Sequence, residues 1–309
     1  MYYFDDITEY DGAECAIMLG KFDGLHIGHR ALLSEMKKNH GDLRTTILTF
    51  DGMHYGEHKD LFTKREKRII CEEAGIEAFL NVPFTDEIRR MSPKEFIEGY
   101  LSARCHAKQI YVGENWRFGR NREGNTKILR KICAELGIET FILSETELSG
   151  KGRAVSCTDI RSLISAGRTE EATELLGGYY FVAGRTKPGR KLGTELHFPT
   201  LNLYPDSGKL LPKNGVYLTT TRIGRDIYPS VTNVGTKPTV TDELQVVVET
   251  HLCKEIVNNI DYYTDIVVYF RKMLREERKF SSLAELSEQI GRDKAAAIAY
   301  FESTGEVFA

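Results

Sequence analysis

The stretch "CAIMLGKFDGLHIGHRALL", residues 15–33, decides the fold of the first half of the chain. It begins with an apolar run and continues, from His26 onward, with apolar residues at helical spacing. We therefore predict a buried strand, a glycine-containing turn and a helix. The turn and the first helical turn hold His26 and His29, with Gly28 between them. Backbone N–H groups and the helix dipole favour an anion at such a helix start, and phosphate is the obvious candidate.

Imidazole N–H groups can donate to the charge that builds up on an α-phosphate in a transition state, and such chemistry needs no protein nucleophile. A glycine at position 28 lets the backbone come close to a phosphate oxygen. For an isolated pair of this spacing, two surface histidines or a metal-binding pair are the alternatives. The full pattern Gly-x-Phe-Asp-Gly-x-His-x-Gly-His after a buried strand is more specific, and it favours a nucleotide site.

The first half alternates short apolar runs with helical patterns, which predicts βαβ units around a parallel sheet. Helix boundaries are marked by Ser92-Pro93-Lys94-Glu95, a capping box with proline at the first helical position. Gly41, Gly75 and Gly137 stand where helices should end. The predicted strands are 15–20, 45–50, 77–82, 109–113 and 139–143, and two short helices follow within 158–178.

The second half is rich in β-branched and aromatic residues with turn residues between the runs, which predicts a six-stranded antiparallel barrel. Leu283, Leu286, Ile290 and Ala297 recur at helical spacing and predict a C-terminal helix packed on that barrel. We place the domain boundary near residue 180, with an α/β domain at 1–180 and a β domain at 181–309. The runs are 179–186, 215–224, 226–235, 245–252 and 264–274.

Composition bounds the class of protein. At 309 residues, each of two domains could bury its own core. The formal net charge of -3 argues against a generally basic protein that coats nucleic acid. The six cysteines form no CxxC pair, which favours reduced, mostly buried thiols and a cytoplasmic location. We see no targeting segment or membrane span in the sequence, and we expect no membrane partner.

The first half resembles the nucleotidylyltransferase module of the bacterial bifunctional riboflavin kinase/FAD synthetases. The resemblance rests on "GKFDGLHIGHRALL" (20–33), "VGENWRFGRNREGN" (112–125) and "VSCTDIRSLISAG" (155–167). It implies a Rossmann-like nucleotidylyltransferase fold with catalytic histidines His26 and His29. The flavin-binding residues that it implies are Asn115, Arg117 and Phe118. The implied nucleotide-binding residues are Gly20, Phe22, Asp23, Gly24, Gly28, Ser156, Thr158 and Arg161; a hydroxyl pair with a guanidinium suits a triphosphate.

The second half resembles riboflavin kinase over essentially its whole length. In "GRTKPGRKLGTELHFPTLNL" (184–203), the resemblance implies nucleotide binding by Gly189, Lys191 and Gly193 and Mg²⁺ binding by Thr200 and Asn202. Hard oxygen ligands suit that ion. In "VVVETHL" (246–252), Glu249 is implied as the catalytic base, and in "LREERKFSSLAEL" (274–286), Arg275 is implied as a flavin ligand. Strand alternation places Glu249 and His251 on one face.

These patterns predict an enzyme that converts riboflavin and ATP into FMN, and FMN and ATP into FAD, with Mg²⁺ in both steps. Its partners are then the small molecules riboflavin, FMN, FAD and ATP; the sequence leaves its oligomeric state open. One alternative is a riboflavin kinase whose first domain is inactive or prefers another nucleotide. It is motivated by Asn115, which stands where the family has an acidic residue, and by "TFDGMHYGEHKDLF" (49–62), which lacks the family's Pro-His-Pro stretch. A flavin-sensing or RNA-binding regulator is another, but no basic stripe with interleaved aromatic residues supports it.

Overall fold

The predicted strands of the first half form one parallel sheet in the computed structural model, which describes residues 1–51, 58–144, 155–188, 199–238, 244–254 and 263–305. The strand order is β1-β4-β3-β2-β5-β6, with every neighbour parallel. All five residues of β2 are buried, as its apolar run predicts. The strands are β1 Tyr2–Phe4, β2 Cys15–Leu19, β3 Arg44–Asp51, β4 Ala78–Pro83, β5 Ala107–Gly113 and β6 Glu139–Leu143.

Helices connect these strands and begin and end where the sequence predicts. Ser92 and Glu95 form the predicted capping box. Gly41, Gly75 and Gly137 adopt positive φ angles one residue beyond the helix caps, a conformation that glycine takes without strain. The helices are α1 Ile27–Asn39, α2 Lys64–Glu73, α3 Asp86–Arg90, α4 Pro93–Glu95 leading into a π-helical segment Phe96–Ser102, and α5 Thr126–Glu135.

The strand order creates a switch point beside β2. The chain runs from β2 through β3 to β4 on one side and then crosses to β5 on the other side of β2. Loops that leave the carboxyl ends of β2 and β5 therefore diverge from each other and open a crevice, which is where open α/β sheets bind ligands. Residues 20–26 follow β2 and residues 114–125 follow β5, so two of the three motifs that carry the resemblance of the first half lie at this crevice.

The strands of the second half form an antiparallel sheet in the order β7-β12-β9-β10-β11-β8. Its two edges meet at a bridge between Lys187 and Asn202, where the Lys187 N–H donates to the Asn202 carbonyl at 2.9 Å. The sheet thus curls into the predicted six-stranded barrel. The strands are β7 Phe181–Arg185, β8 Thr200–Leu203, β9 Gly215–Ile223, β10 Asp226–Pro238, β11 Leu244–Leu252 and β12 Asp265–Arg275.

A chain of buried hydroxyl groups crosses three barrel strands on the face opposite Glu249. The hydroxyls of β9, β10 and β11 bond to one another at 2.7–2.9 Å, in the order Thr221, Ser230, Thr219, Thr232, Thr250. A hydroxyl can both donate and accept, so each of the three middle hydroxyls bonds two neighbours without any charged group. This arrangement explains how threonine-rich strands with high β propensity can fill a core.

The C-terminal helix α8, Leu283–Thr304, packs on the barrel as predicted, but its first turn does not take part. Its buried positions are Asp293, Ala297 and Phe301, and the latter two join Val216, Leu218, Val231 and Cys253 in a small core. The prediction that Leu283 belongs to the packed face is wrong, because this residue is 56% exposed at the helix start. The spacing is helical, but the fully buried positions all lie in the later turns.

Contacts divide the chain into two units, 1–58 with 63–157 and 59–62 with 158–309. Two further helices, α6 Cys157–Ser165 and α7 Thr169–Leu176, lie almost wholly in the second unit. The Thr169 hydroxyl donates to the Arg271 carbonyl of β12 at 3.2 Å, and Lys272 pairs with Glu170 at 3.4 Å. These contacts attach the helices to the barrel. The boundary near residue 180 is predicted for the two functional domains rather than for contact units, and it stays a prediction.

None of the six cysteines forms a disulfide and five are buried, in line with the expectation of structural thiols. None of the helices in the described part of the chain is both long and apolar enough to cross a bilayer.

Candidate active sites

The loop after β2 is fixed by its own backbone and by β3. The Thr49 hydroxyl donates to the Lys21 carbonyl at 2.9 Å. Phe22 has a φ of 42°, a strained conformation for a residue with a side chain, and is 2% exposed. Its ring covers Gly20 so closely that a Cβ there would lie 2.9 Å from the ring. Glycine at position 20 is therefore required by packing.

Phe22 also supports the predicted catalytic pair. Its ring meets the ring of His29 edge-on, with centroids 4.8 Å apart, and the His26 and His29 rings stack at 3.8 Å. His26 is the N-cap of α1, and His29 lies in the first helical turn, as predicted. The other predicted nucleotide-binding residues of this loop, Asp23, Gly24 and Gly28, are buried around the pair, and their contact with a nucleotide stays a prediction.

Both histidines are neutral at pH 7. Burial lowers the pKa of His26 to about 4. Burial, with the neighbouring His26 ring, lowers the pKa of His29 to about 3, against a smaller opposing effect of the Gly24 carbonyl. That carbonyl can only accept, so the 2.8 Å contact with His29 Nδ1 places the proton on Nδ1 and leaves Nε2 as an acceptor. Among the described residues, the buried Nδ1 of His26 finds no hydrogen-bond partner, a feature typical of functional sites.

The loop after β5 contains both exposed polar residues and a buried aromatic residue. Asn115 and Arg117 are exposed, whereas Phe118 is 6% exposed and packs at 6.0 Å from Phe96 in the core. Trp116 stacks on Phe118 with centroids 4.4 Å apart. Phe118 therefore supports Trp116, which sequence reasoning passed over although it is the sole tryptophan of the chain. Flavin binding by Asn115, Arg117 and Phe118 stays a prediction.

The predicted triphosphate residues lie at the start of α6. Ser156 and Thr158 are exposed, and Ser156 precedes the helix. Arg161 is half-buried, and its Nε donates to the Lys59 carbonyl at 3.2 Å. Ser156 belongs to the first unit, and Thr158 and Arg161 belong to the second.

In the barrel, strand register aligns the predicted kinase residues. Glu249 of β11 lies directly opposite Asn202 of β8 and Asn233 of β10. Directly opposed residues share a face and have Cβ atoms about 4.5–5.5 Å apart. The predicted base and one predicted metal ligand therefore lie side by side. Asn233 continues the row and donates from Nδ2 to Glu277 Oε1 at 3.1 Å.

Asn202 carries the feature expected of a metal ligand. It is 5% exposed, and no donor among the described residues lies within hydrogen-bond reach of its Oδ1. A buried amide oxygen without a donor suits a hard cation such as Mg²⁺. Thr200, two residues earlier, projects from the same face of β8. Across the described residues, no group of three His, Cys, Asp or Glu side chains is placed to hold a metal ion.

His251 is a site residue whose role sequence reasoning missed. It lies directly opposite Thr200 and contacts the Pro199 carbonyl through Nδ1 at 3.0 Å. Burial lowers the pKa of His251, against a smaller opposing effect of that carbonyl, and Lys294 lowers it further. Because a carbonyl can only accept, His251 donates to Pro199 from Nδ1 and holds the residue that precedes Thr200. Strand alternation with Glu249 was the signal that could have found it.

Arg275 has a structural partner. Its guanidinium forms a bidentate ion pair with the buried Asp293 of α8, the shortest contact being 2.7 Å. Flavin binding by Arg275 stays a prediction, but this ion pair fixes β12 to the helix. The remaining predicted nucleotide-binding residues, Gly189, Lys191 and Gly193, lie outside the described residues.

The first unit has a parallel α/β fold with a histidine pair at its switch point, and the barrel aligns an amide with a carboxylate. These are the features expected of a two-domain ATP-dependent transferase. Comparison with known proteins agrees. The FAD synthetase family model matches residues 9–159, and the riboflavin kinase family model matches residues 176–301.

Relatives match over almost the whole chain. The bifunctional riboflavin kinase/FMN adenylyltransferase of Escherichia coli K12 is 32% identical, with 94% of each chain covered. The protein of the same name from Bacillus subtilis 168 is 30% identical, with 96% of each covered. A crystal structure titled as a macrolide-efflux protein from Streptococcus pneumoniae has a TM-score of 0.77 at 23% identity, covers 96% of this chain and 97% of its own, and shows the fold alone. The chain belongs to the family of bifunctional riboflavin kinases/FMN adenylyltransferases.

Proposed function

We propose that this chain makes FAD from riboflavin in two ATP-dependent steps, with phosphorylation in the barrel and adenylylation in the parallel-sheet domain. The observation that carries the proposal is the register of Glu249 with Asn202, because it puts the residue we propose as general base beside the residue we propose as a ligand of the nucleotide metal. Both family models support the two-step function over the kinase-only alternative. We assign adenylylation to residues 1–180 and phosphorylation to residues 181–309.

In the kinase step, the ribityl 5′-hydroxyl attacks the γ-phosphorus of ATP. The bond from that phosphorus to the ADP oxygen breaks, and the hydroxyl proton passes to Glu249. Thr200 and Asn202 would hold the nucleotide metal, and His251 donates to the Pro199 carbonyl just before Thr200. When bound, Mg²⁺ neutralises charge on the phosphates.

In the adenylyl step, a phosphate oxygen of FMN attacks the α-phosphorus of ATP and pyrophosphate leaves. The attacking phosphate is already ionised at pH 7, so this step needs no general base. His26 and His29 stabilise the charge that develops on the α-phosphate. Because Nδ1 of His29 is bound to the Gly24 carbonyl, this ring donates from Nε2 only when protonated, and the anionic triphosphate raises its pKa on binding.

We further assign small-molecule substrates as the partners, rather than nucleic acid, because the formal net charge is -3. Cysteines that are mostly buried and form no disulfide suit a reducing compartment such as the cytoplasm.

Product analysis tests the proposal. The protein is incubated with riboflavin, ATP and Mg²⁺, and FMN and FAD are separated by chromatography over time. We expect FMN first, then FAD with an equal amount of pyrophosphate, and neither product when Mg²⁺ is chelated. FMN without FAD under both oxidising and reducing conditions would replace the proposal by the kinase-only alternative.

A further inference from the structure

Four residues from the first half of the sequence belong to the barrel unit. This strap, Lys59–Phe62, makes its contacts with the second unit although the chain on both sides of it belongs to the first. Asp60 forms a parallel bridge to Lys209: its N–H donates to the Gly208 carbonyl and its carbonyl accepts from the Leu210 N–H, each at 2.8 Å.

The side chain of Lys209 forms hydrogen bonds and ring contacts with the strap. Its side chain is 1% exposed, and its Nζ donates to the carbonyls of Leu61 at 2.6 Å and Phe181 at 2.9 Å. The ammonium also lies over the rings of Phe62 and Tyr180, at 4.6 and 4.3 Å from their centroids. Burying a charge is costly unless it is well bonded, so packing alone does not explain a lysine here. Its two carbonyl bonds join the strap to the first residue of β7.

Lys59, the first residue of the strap, forms a hydrogen bond with Arg161. The Lys59 carbonyl accepts from Arg161 Nε at 3.2 Å, two residues from the carbonyl that Lys209 holds. A guanidinium is planar, so a bond at Nε restricts the direction in which its other N–H groups can meet a phosphate. Backbone held at Leu61 thus determines where the acceptor for Arg161 lies.

We propose that Lys209 is a positioning residue for adenylyl transfer: it fixes the strap Lys59–Phe62, whose Lys59 carbonyl orients the guanidinium of Arg161 toward the ATP triphosphate. This inference rests on the proposed role of Arg161. Lys209 then affects ATP binding in the adenylyl step through the strap and Arg161, without itself contacting the substrate.

A double-mutant cycle on the full-length chain tests it. Lys209→Met removes the charge and both hydrogen bonds but keeps an unbranched apolar stem, and Arg161→Ala removes the guanidinium. The KM for ATP and kcat are measured for adenylylation of supplied FMN and for riboflavin phosphorylation. Lys213→Met is the matched control, because Lys213 is an exposed lysine nearby in the sequence that pairs with Glu276 at 2.6 Å.

We expect Lys209→Met to raise the adenylyl KM for ATP by about three- to tenfold with a smaller change in kcat, the size typical of coupled neighbours. In the Arg161→Ala background it should raise KM no further, because the group it orients is gone. Lys209→Gln retains an N–H donor for a strap carbonyl and should recover most of the parental KM. Kinase constants, and both activities of Lys213→Met, should stay within about twofold of the parent.

Independent effects of the two substitutions, or an adenylyl KM unchanged by Lys209→Met, would overturn the inference while leaving the role of Arg161 intact. If Arg161→Ala itself leaves the KM unchanged, the proposed triphosphate role fails first, and the inference fails with it. If Lys209→Met does not fold, Lys209→Gln is compared in the parent and in the Arg161→Ala background. An increase in the adenylyl KM for ATP that is the same in both contradicts the positioning role.

Discussion

At the residue scale, backbone carbonyls determine which ring nitrogen carries the proton in two histidines. The Gly24 carbonyl accepts from His29 Nδ1, and the Pro199 carbonyl accepts from His251 Nδ1. Each contact leaves Nε2 as the acceptor in the neutral ring. The sequence predicts the position of His29, since a glycine-flanked histidine at a helix start is a recognisable pattern. It does not predict the tautomer, which depends on the contact with a carbonyl five residues away.

The low pKa of His29 predicts a pH-dependent stability. The folded ring binds a proton only near pH 3, whereas the unfolded ring does so near its usual pKa of 6.5. Between these values the unfolded chain binds more protons, so stability is present above about pH 6.5 and is lost as the pH falls toward 3. We expect His29→Gln to lose less stability than the parent between pH 7.5 and pH 4.5. Urea unfolding at both pH values measures this, and an equal loss in both proteins would contradict the assignment.

His251 should act on the metal through Thr200. Replacing it by leucine removes the bond to the Pro199 carbonyl, loosens the start of β8 and should raise the Mg²⁺ concentration for half-maximal kinase activity. His251→Gln can still donate to that carbonyl and should restore most of the parental value. Thr200→Ala and Asn202→Ala provide the reference for loss of a ligand oxygen. An unchanged Mg²⁺ titration for His251→Leu would rule out the positioning role.

At the element scale, the strands that the sequence predicts are those with a strong apolar or β-branched pattern, such as β2 and β9. Strand β1, Tyr2–Phe4, was missed because only one of its three residues is buried, so it has no pattern to recognise. Leu283 shows the opposite error. Its spacing is helical, but spacing does not reveal which turns of a helix reach the barrel.

Helices α6 and α7 should stabilise the barrel although they precede the predicted kinase boundary. A fragment 158–309 keeps the bonds from Thr169 and Glu170 to β12, and a fragment 181–309 loses them. We expect the longer fragment to be more soluble, to melt at a higher temperature and to phosphorylate riboflavin. Neither fragment should make FAD from supplied FMN. Equal melting temperatures for the two fragments would show that the helices contribute nothing to the barrel.

At the scale of the whole molecule, motif order reveals both activities, because two independent motif sets occur in separate halves of one chain. The alignment of Glu249 with Asn202 could not be predicted in the same way. These residues are 47 positions apart, and only strand register brings them together. The same holds for the strap, whose barrel contacts cross more than 140 residues.

The most direct test of the account uses two variants that each retain one activity. Glu249→Gln should lose riboflavin phosphorylation by about 10²–10⁴-fold and keep adenylylation of supplied FMN. His29→Ala should convert riboflavin to FMN and stop there. From riboflavin, ATP and Mg²⁺, neither variant alone should form FAD at the parental rate, and an equimolar mixture should form it, because free FMN made by one is used by the other. Parental FAD formation by either variant alone, or loss of both activities in either, would contradict the assignment of the two steps to two separate sites.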